Sequence, residues 1–178
     1  MTTASKVTMI RIVLIPFFMI AALLDFPYAN IIALALFILA SVTDWVDGYI
    51  ARRYKQTTDF GKFIDPLADK LLVTSAMLIF VQWGTMPAWA LMVILTREFA
   101  VSGLRMIAAS KGDVIAAAGS GKIKTVITIL GICVMLTTAS LEYVPRMELS
   151  NLVIIVLILI VTIYSGIEYF AKNYKVLK

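Results

Sequence analysis

The chain contains no histidine and a single cysteine, Cys133. Without histidine the commonest general base and metal ligand is missing, so chemistry has to run on carboxylates, lysines and arginines. A lone cysteine closes no internal disulfide, and Cys133 lies in an apolar run with no neighbouring charge to activate it, which gives it a structural role. Charge itself is scarce. Charged residues make up 15% of the chain and apolar residues 61%, whereas a soluble domain has about a quarter charged and about half apolar. No repeat, low-complexity segment or soluble-domain-sized linker interrupts the 178 residues. The first apolar run also lacks a small-residue cleavage site, so we expect the N-terminus to be retained.

What the chain does have is long apolar runs. A hydrocarbon layer of about 30 Å needs about 20 helical residues to cross it. Six stretches qualify: 8–25, 29–52, 62–82, 86–107, 121–141 and 149–170. Pro, Gly or charge separates them, as in Asp25-Phe26-Pro27, Trp83-Gly84 and Pro145-Arg146. The expected fold is therefore all-α and integral to the membrane, a bundle of six transmembrane helices. With the N-terminus inside, every lysine and arginine except Arg146 falls on one side. Positive residues favour the cytoplasm, so both termini are expected there. The net charge of +5 comes from clusters between apolar runs, a topology signal and not a nucleic-acid signal. Pro16 inside the first run is expected to kink its helix, which neighbouring helices accommodate.

The anomaly is acidic. Asp44 and Asp47 follow the apolar run 31–40, and Asp65 and Asp69 lead into the apolar run 71–81. An aspartate at mid-membrane costs about 2.5–3.5 kcal/mol, and such residues default to functional sites. Asp44 and Asp47 are i,i+3 neighbours on one helix face, with Ala51 one heptad beyond Asp44. Gly61, Asp65 and Asp69 step by four along the next helix. Two adjacent antiparallel helices can point these carboxylates into one cytoplasmic cavity. Pro66 disfavours the α conformation at Asp65, so either the third helix starts there with Asp65 as its cap, or it is kinked. Arg52, Lys62 and Lys70 offset part of the charge. An oxygen-only cage suits a hard cation, Mg²⁺ or Mn²⁺, and two such ions would hold a pyrophosphate for displacement. The bland alternative is a structural ion-pair cluster that stitches helices together.

Asp44-Trp45-Val46-Asp47-Gly48-Tyr49-Ile50-Ala51-Arg52, followed by Gly61, Asp65 and Asp69, resembles the CDP-alcohol phosphatidyltransferase signature at every position. The resemblance implies a single catalytic membrane domain over residues 1–178, commonly a homodimer, that transfers a phosphatidyl group from a CDP-lipid to an alcohol and releases CMP. By motif position it implies metal ligation by Asp44, Asp47 and Asp65. It makes Asp69 the base that deprotonates the acceptor hydroxyl while also touching a metal. Gly48 and Arg52 would contact the CDP moiety, and Gly61 would permit close helix approach beside it. The absence of a histidine or cysteine nucleophile favours direct displacement.

A second basic set bears on the acceptor. Arg97 and Arg105 lie eight residues apart on the fourth run, and Lys122 and Lys124 open the fifth after a Gly119-Ser120-Gly121 turn. Topology alone accounts for Arg105, Lys111, Lys122 and Lys124, but poorly for Arg97, which is two turns deeper and adjoins Glu98. Arginine suits bidentate phosphate recognition, so Arg97, Arg105, Lys122 and Lys124 point to a phosphorylated acceptor. The strings Arg97 to Arg105, Gly121 to Thr125 and Tyr164 to Phe170 are similar to those of the bacterial phosphatidylglycerophosphate-forming branch of the family. That likeness implies CDP-diacylglycerol as donor, sn-glycerol 3-phosphate as acceptor and a bacterial cytoplasmic membrane location with the active site facing the cytoplasm. Of that branch's N-terminal Pro-Asn, Thr and Arg, only Thr8 and Arg11 are present here. Within the family a cardiolipin synthase or an inositol-phosphate transferase remains open. From other classes, a divalent-cation transporter lined by the aspartates and a non-catalytic scaffold also remain.

Overall fold

The structure is a computed structural model that describes residues 3–24, 26–54, 59–112, 119–141 and 147–174, with side chains at 8–24, 26–43, 67–112, 119–141 and 149–174. The described residues form six α-helices and no strand: α1 (Thr3–Leu23), α2 (Ala29–Tyr54), α3 (Asp59–Gln82), α4 (Ala88–Ser110), α5 (Gly119–Ser140) and α6 (Met147–Asn173). Two of them, Gly119–Ser140 and Leu149–Asn173, are long and apolar enough to cross a membrane by themselves, and Thr8–Leu23 and Ala29–Thr43 are shorter apolar helices. Rows of large apolar side chains face outward, among them Phe17 and Ile20 on α1 and Leu152, Val156 and Ile160 on α6. Exposed apolar area on this scale is matched by lipid and not by water.

The helices sort into two compact units, Met1–Gln82 with Ile132–Pro145, and Trp83–Gly131 with Arg146–Lys178. In the first unit α1 packs on both α2 and α3, and α2 packs on α3. The contact faces are lined by small residues, with Ala33 and Ala40 on α2 and Ala68 and Ala76 on α3 all fully buried. Without bulky side chains between them the backbones approach closely, which is how helices associate where no hydrophobic effect drives them together. Phe18 and Phe37 fill the remaining space, their rings tilted at 53° with centroids 5.7 Å apart. Asn30 Nδ2 donates to the Ala139 carbonyl at 2.8 Å, tying the start of α2 to the end of α5.

Two prolines of this unit, Pro16 and Pro66, are absorbed within helices. α1 continues through Pro16. α3 is helical from Asp59 through Pro66 to Gln82, so Asp65 is not its cap, contrary to one of the two sequence readings. Packing against α1 and α2 offsets the backbone bond that the ring removes.

In the second unit α4 packs against α6, with Val101, Leu104 and Tyr169 buried together and Phe170 beside them. α4 stops where Gly112 takes φ +83°, a left-handed conformation that glycine adopts without penalty. The Gly119-Ser120-Gly121 segment, expected as a turn, is instead the first turn of α5. Further along α5, Gly131 lies under α6: a Cβ there would come within 2.9 Å of Ile154 and 3.0 Å of Ile158.

Gly131 and Gly103 therefore respond differently to substitution, since a Cβ at Gly103 meets nothing within 4 Å. Gly103→Ala should gain about 0.5–1 kcal/mol from helix propensity. Gly131→Leu should lose about 1–3 kcal/mol through overpacking. Thermal unfolding in detergent reads both, and equal shifts would refute the α5–α6 contact.

Candidate substrate-binding sites on the two helix units

On α2 the buried positions Ala29, Ala33, Phe37 and Ala40 advance by four, four and three residues along one face. Positions 44, 47 and 51 continue the same stripe. On α3 the buried stripe runs through Ala68, Leu72, Ser75, Ala76 and Ile79, and positions 61 and 65 extend it towards the start of the helix. α2 ends at Tyr54 and α3 begins at Asp59, and helices that pack across so short a link run antiparallel. The acidic positions thus occupy the adjoining ends of two contacting helices, in register with the faces that pack. The side chains of Asp44, Asp47, Gly48, Arg52, Gly61 and Asp65 lie outside the described residues. Asp69 lies within them, half-buried at the edge of the α3 stripe.

The donor chemistry at these positions fits a hard divalent cation: the acids supply oxygen alone, the chain has no histidine, and Cys133 is on α5. Arg11 on α1 is fully buried, as is Thr8 one turn earlier. A buried guanidinium is stable only where anionic or carbonyl oxygens surround it. Since α1 packs on both acid-bearing helices, Arg11 contributes positive charge to the same unit. Topology counting missed it, because it treats a basic residue near a helix end as solvent-facing.

The second unit holds a network that joins α4, α5 and α6. Arg97 Nη1 donates to Glu98 Oε1 at 2.8 Å, and Lys124 Nζ donates to the same oxygen at 2.6 Å. Arg97 Nη2 donates to Ser165 Oγ on α6. These groups are largely buried, the Lys124 side chain only 7% exposed and that of Arg97 13%. At that depth an unpaired ammonium would be costly, and the shared carboxylate is what makes two adjacent cations tolerable. One glycine, Gly166, makes the room. A Cβ at Gly166 would stand 3.1 Å from Arg97 Cγ, and one at Gly121 3.9 Å from Arg97 Nη2. Arg97 Nε is buried and has no hydrogen-bond partner among the described residues, a donor left for an incoming oxygen.

The four basic residues singled out from sequence do not all meet. Arg97 and Lys124 converge on Glu98. Arg105, further along α4, is exposed at its tip and lies over the Tyr169 ring, 5.3 Å from its centroid, with Nε donating to the Tyr169 hydroxyl at 2.8 Å. Lys122 is exposed, two residues from Lys124, and helix neighbours at that spacing face apart. The other side of Arg97 lines a groove of about 540 Å³ between α4 and α6, walled by Met92, Val93, Ala100, Ile163, Ile167 and Phe170. That groove is hydrocarbon-lined, and the polar partners of Arg97 lie on its other side. Glu98, Ser165 and Tyr169 were not assigned roles from sequence. Ser165 and Tyr169 stood inside a string that resembled the family, but only the folded contacts reveal which residues they serve.

An all-helical chain with apolar outward faces, aspartates in register on two contacting helices and a buried arginine–lysine pair defines a membrane-type phosphate-handling protein. The chain belongs to the CDP-alcohol phosphatidyltransferase family, which it matches over residues 1–165. It is 45% identical to the CDP-diacylglycerol–glycerol-3-phosphate 3-phosphatidyltransferase of Bacillus subtilis, over 98% of this chain and 96% of that protein. It is 38% identical to the protein of the same name in Haemophilus influenzae, over 91% and 88% of the two chains. The corresponding Yersinia enterocolitica protein is 35% identical over 94% and 92%.

Tyr169→Phe keeps the ring beneath Arg105 and removes only the accepting hydroxyl, which should cost about 0.5–1.5 kcal/mol. Tyr169→Ala also empties a buried aromatic position and should cost about 3–5 kcal/mol. Equal unfolding temperatures for the two variants would contradict the packing of α4 on α6 through this residue.

Proposed function

We propose that the protein transfers the phosphatidyl group of CDP-diacylglycerol to sn-glycerol 3-phosphate, giving phosphatidylglycerophosphate and CMP. Full-length similarity to relatives that carry this activity in their names supports the reaction. The observation that carries the phosphorylated acceptor is the buried Arg97–Glu98–Lys124 network, a net positive group inside apolar helices. In this reading the whole chain is one catalytic domain with six membrane spans, both termini and the active site on the cytoplasmic side of a bacterial cell membrane. The asymmetry of lysine and arginine supports that orientation, and the family pattern supports a homodimer.

The family generally works with divalent metal ions, and Asp44, Asp47, Asp65 and Asp69 are the residues that would hold two of them. When bound, Mg²⁺ or Mn²⁺ would neutralise the donor pyrophosphate and the charge on departing CMP. Gly48 and Arg52, with Gly61 allowing close approach, hold the CDP moiety. Arg97 and Lys124 hold the acceptor's phosphate, and Arg105 and Lys122 add to the positive potential that draws it in. Asp69 accepts the proton of the glycerol hydroxyl as its oxygen attacks the phosphatidyl phosphorus. The new P–O bond forms while the bond to the CMP phosphate breaks, and the bonding pair leaves with CMP. A base in this position has to lie within hydrogen-bond reach of the hydroxyl.

Purified protein given CDP-diacylglycerol should convert sn-glycerol 3-phosphate, and neither phosphatidylglycerol nor inositol phosphate, into a lipid identified by mass as phosphatidylglycerophosphate. Either alternative acceptor being preferred would reassign the branch, and metal flux into protein-loaded liposomes would point to transport. Asp69→Asn should retain CDP-lipid binding while turnover falls by about 100- to 10,000-fold. Arg105→Ala should chiefly raise the acceptor concentration needed, by roughly tenfold. Normal turnover by Asp69→Asn would exclude it as the base.

A further inference from the structure

Neighbouring residues on a helix point about 100° apart and do not normally pair. Arg97 and Glu98 nevertheless share a hydrogen bond, because each is drawn towards a different helix. Glu98 reaches α5, where Lys124 Nζ donates to its Oε1 at 2.6 Å. Arg97 reaches α6, where Ser165 accepts from Nη2. Glu98 Oε1 then also takes Nη1 of Arg97 at 2.8 Å. The guanidinium is held at two nitrogens by two anchors on different elements, which fixes its plane. The ammonium is held by the same oxygen, which fixes the spacing between the two cations. Gly166 leaves space for this arrangement, since a Cβ there would stand 3.1 Å from Arg97 Cγ.

We infer that Glu98 and Ser165 are positioning residues for the acceptor phosphate: together they lock Arg97 and Lys124 into one rigid dicationic geometry, with Arg97 Nε as the donor left for substrate. This rests on the reading of Arg97 and Lys124 as the acceptor site, which it deepens. A carboxylate between two cations has an opposite possible effect, since it could compete with the phosphate for them. The two effects differ in sign. As an anchor, Glu98 lowers the acceptor KM; as an occupant of the site, it raises it.

The test is steady-state kinetics of the full-length protein in detergent micelles with CDP-diacylglycerol, varying sn-glycerol 3-phosphate and then the donor. Lys124→Met, which removes a direct phosphate contact, should raise the acceptor KM about a hundredfold. Glu98→Gln should raise it about tenfold with the donor KM unchanged, and Glu98→Asp should recover most of that loss. A merely structural role for Glu98 would move both KM values or the folded yield together. If Lys124→Met shifts the acceptor KM and Glu98→Gln does not, or lowers it, the positioning role is overturned and the acceptor site stands. If Lys124→Met shifts nothing, the acceptor site itself is misassigned and the inference falls with it. Should Glu98→Gln fail to fold, Ser165→Ala carries the same test through the other anchor of Arg97: a raised acceptor KM supports the role, and an unchanged one overturns it.

Discussion

Charge buried among apolar helices has to be compensated on the spot, and this constraint organises the molecule. In the second unit the compensation is explicit: one carboxylate oxygen, Glu98 Oε1, accepts from both Arg97 and Lys124. An ion pair of this kind adds little net stability, because desolvation consumes most of the attraction. Breaking it by removing one partner is far more damaging than never having built it. In the proposed function the network serves a ligand. A surplus positive charge, already stripped of water and fixed in orientation, meets a phosphate with little further reorganisation.

The first unit poses the same problem with the opposite sign. The buried stripes of α2 and α3 are made of alanines, a phenylalanine, a leucine, a serine and an isoleucine, and positions 44, 47 and 65 continue their spacing with acids. Arg11 on α1 sets a fully buried positive charge in the same unit. In the proposed function divalent cations answer the acids, which offer oxygen donors and no histidine or cysteine. Small residues serve both units. Ala33, Ala40, Ala68 and Ala76 let α1, α2 and α3 close on one another, while Gly166 lets α6 close on Arg97.

Much of this was legible in the amino-acid sequence, for identifiable reasons. Hydropathy located all six helices because each is a continuous apolar run bounded by Pro, Gly or charge. Their ends were less legible: helix α5 begins at Gly119 and α3 passes through Pro66, because tertiary packing overrides the local preferences of glycine and proline. The aspartates stood out because acids are costly in such runs. Arg97 stood out for the same reason, since the positive-inside pattern does not explain a cation two turns in. Glu98 was seen only as its neighbour. Its true partner is 26 residues away on another helix, and no local period links the two. Lys122 and Lys124 looked equivalent in the string Gly121 to Thr125, yet the helix turns one outward and buries the other.

The proposed function is a single displacement between a phosphatidyl donor and a phosphorylated acceptor. Its most direct test is stoichiometry: purified protein in CDP-diacylglycerol micelles, supplied with radiolabelled sn-glycerol 3-phosphate and a divalent metal, followed for both CMP and lipid-extractable label. The account predicts one CMP released for each label incorporated, and almost none when acceptor is withheld. CMP released at the same rate without acceptor, or no label passing into lipid, would contradict it.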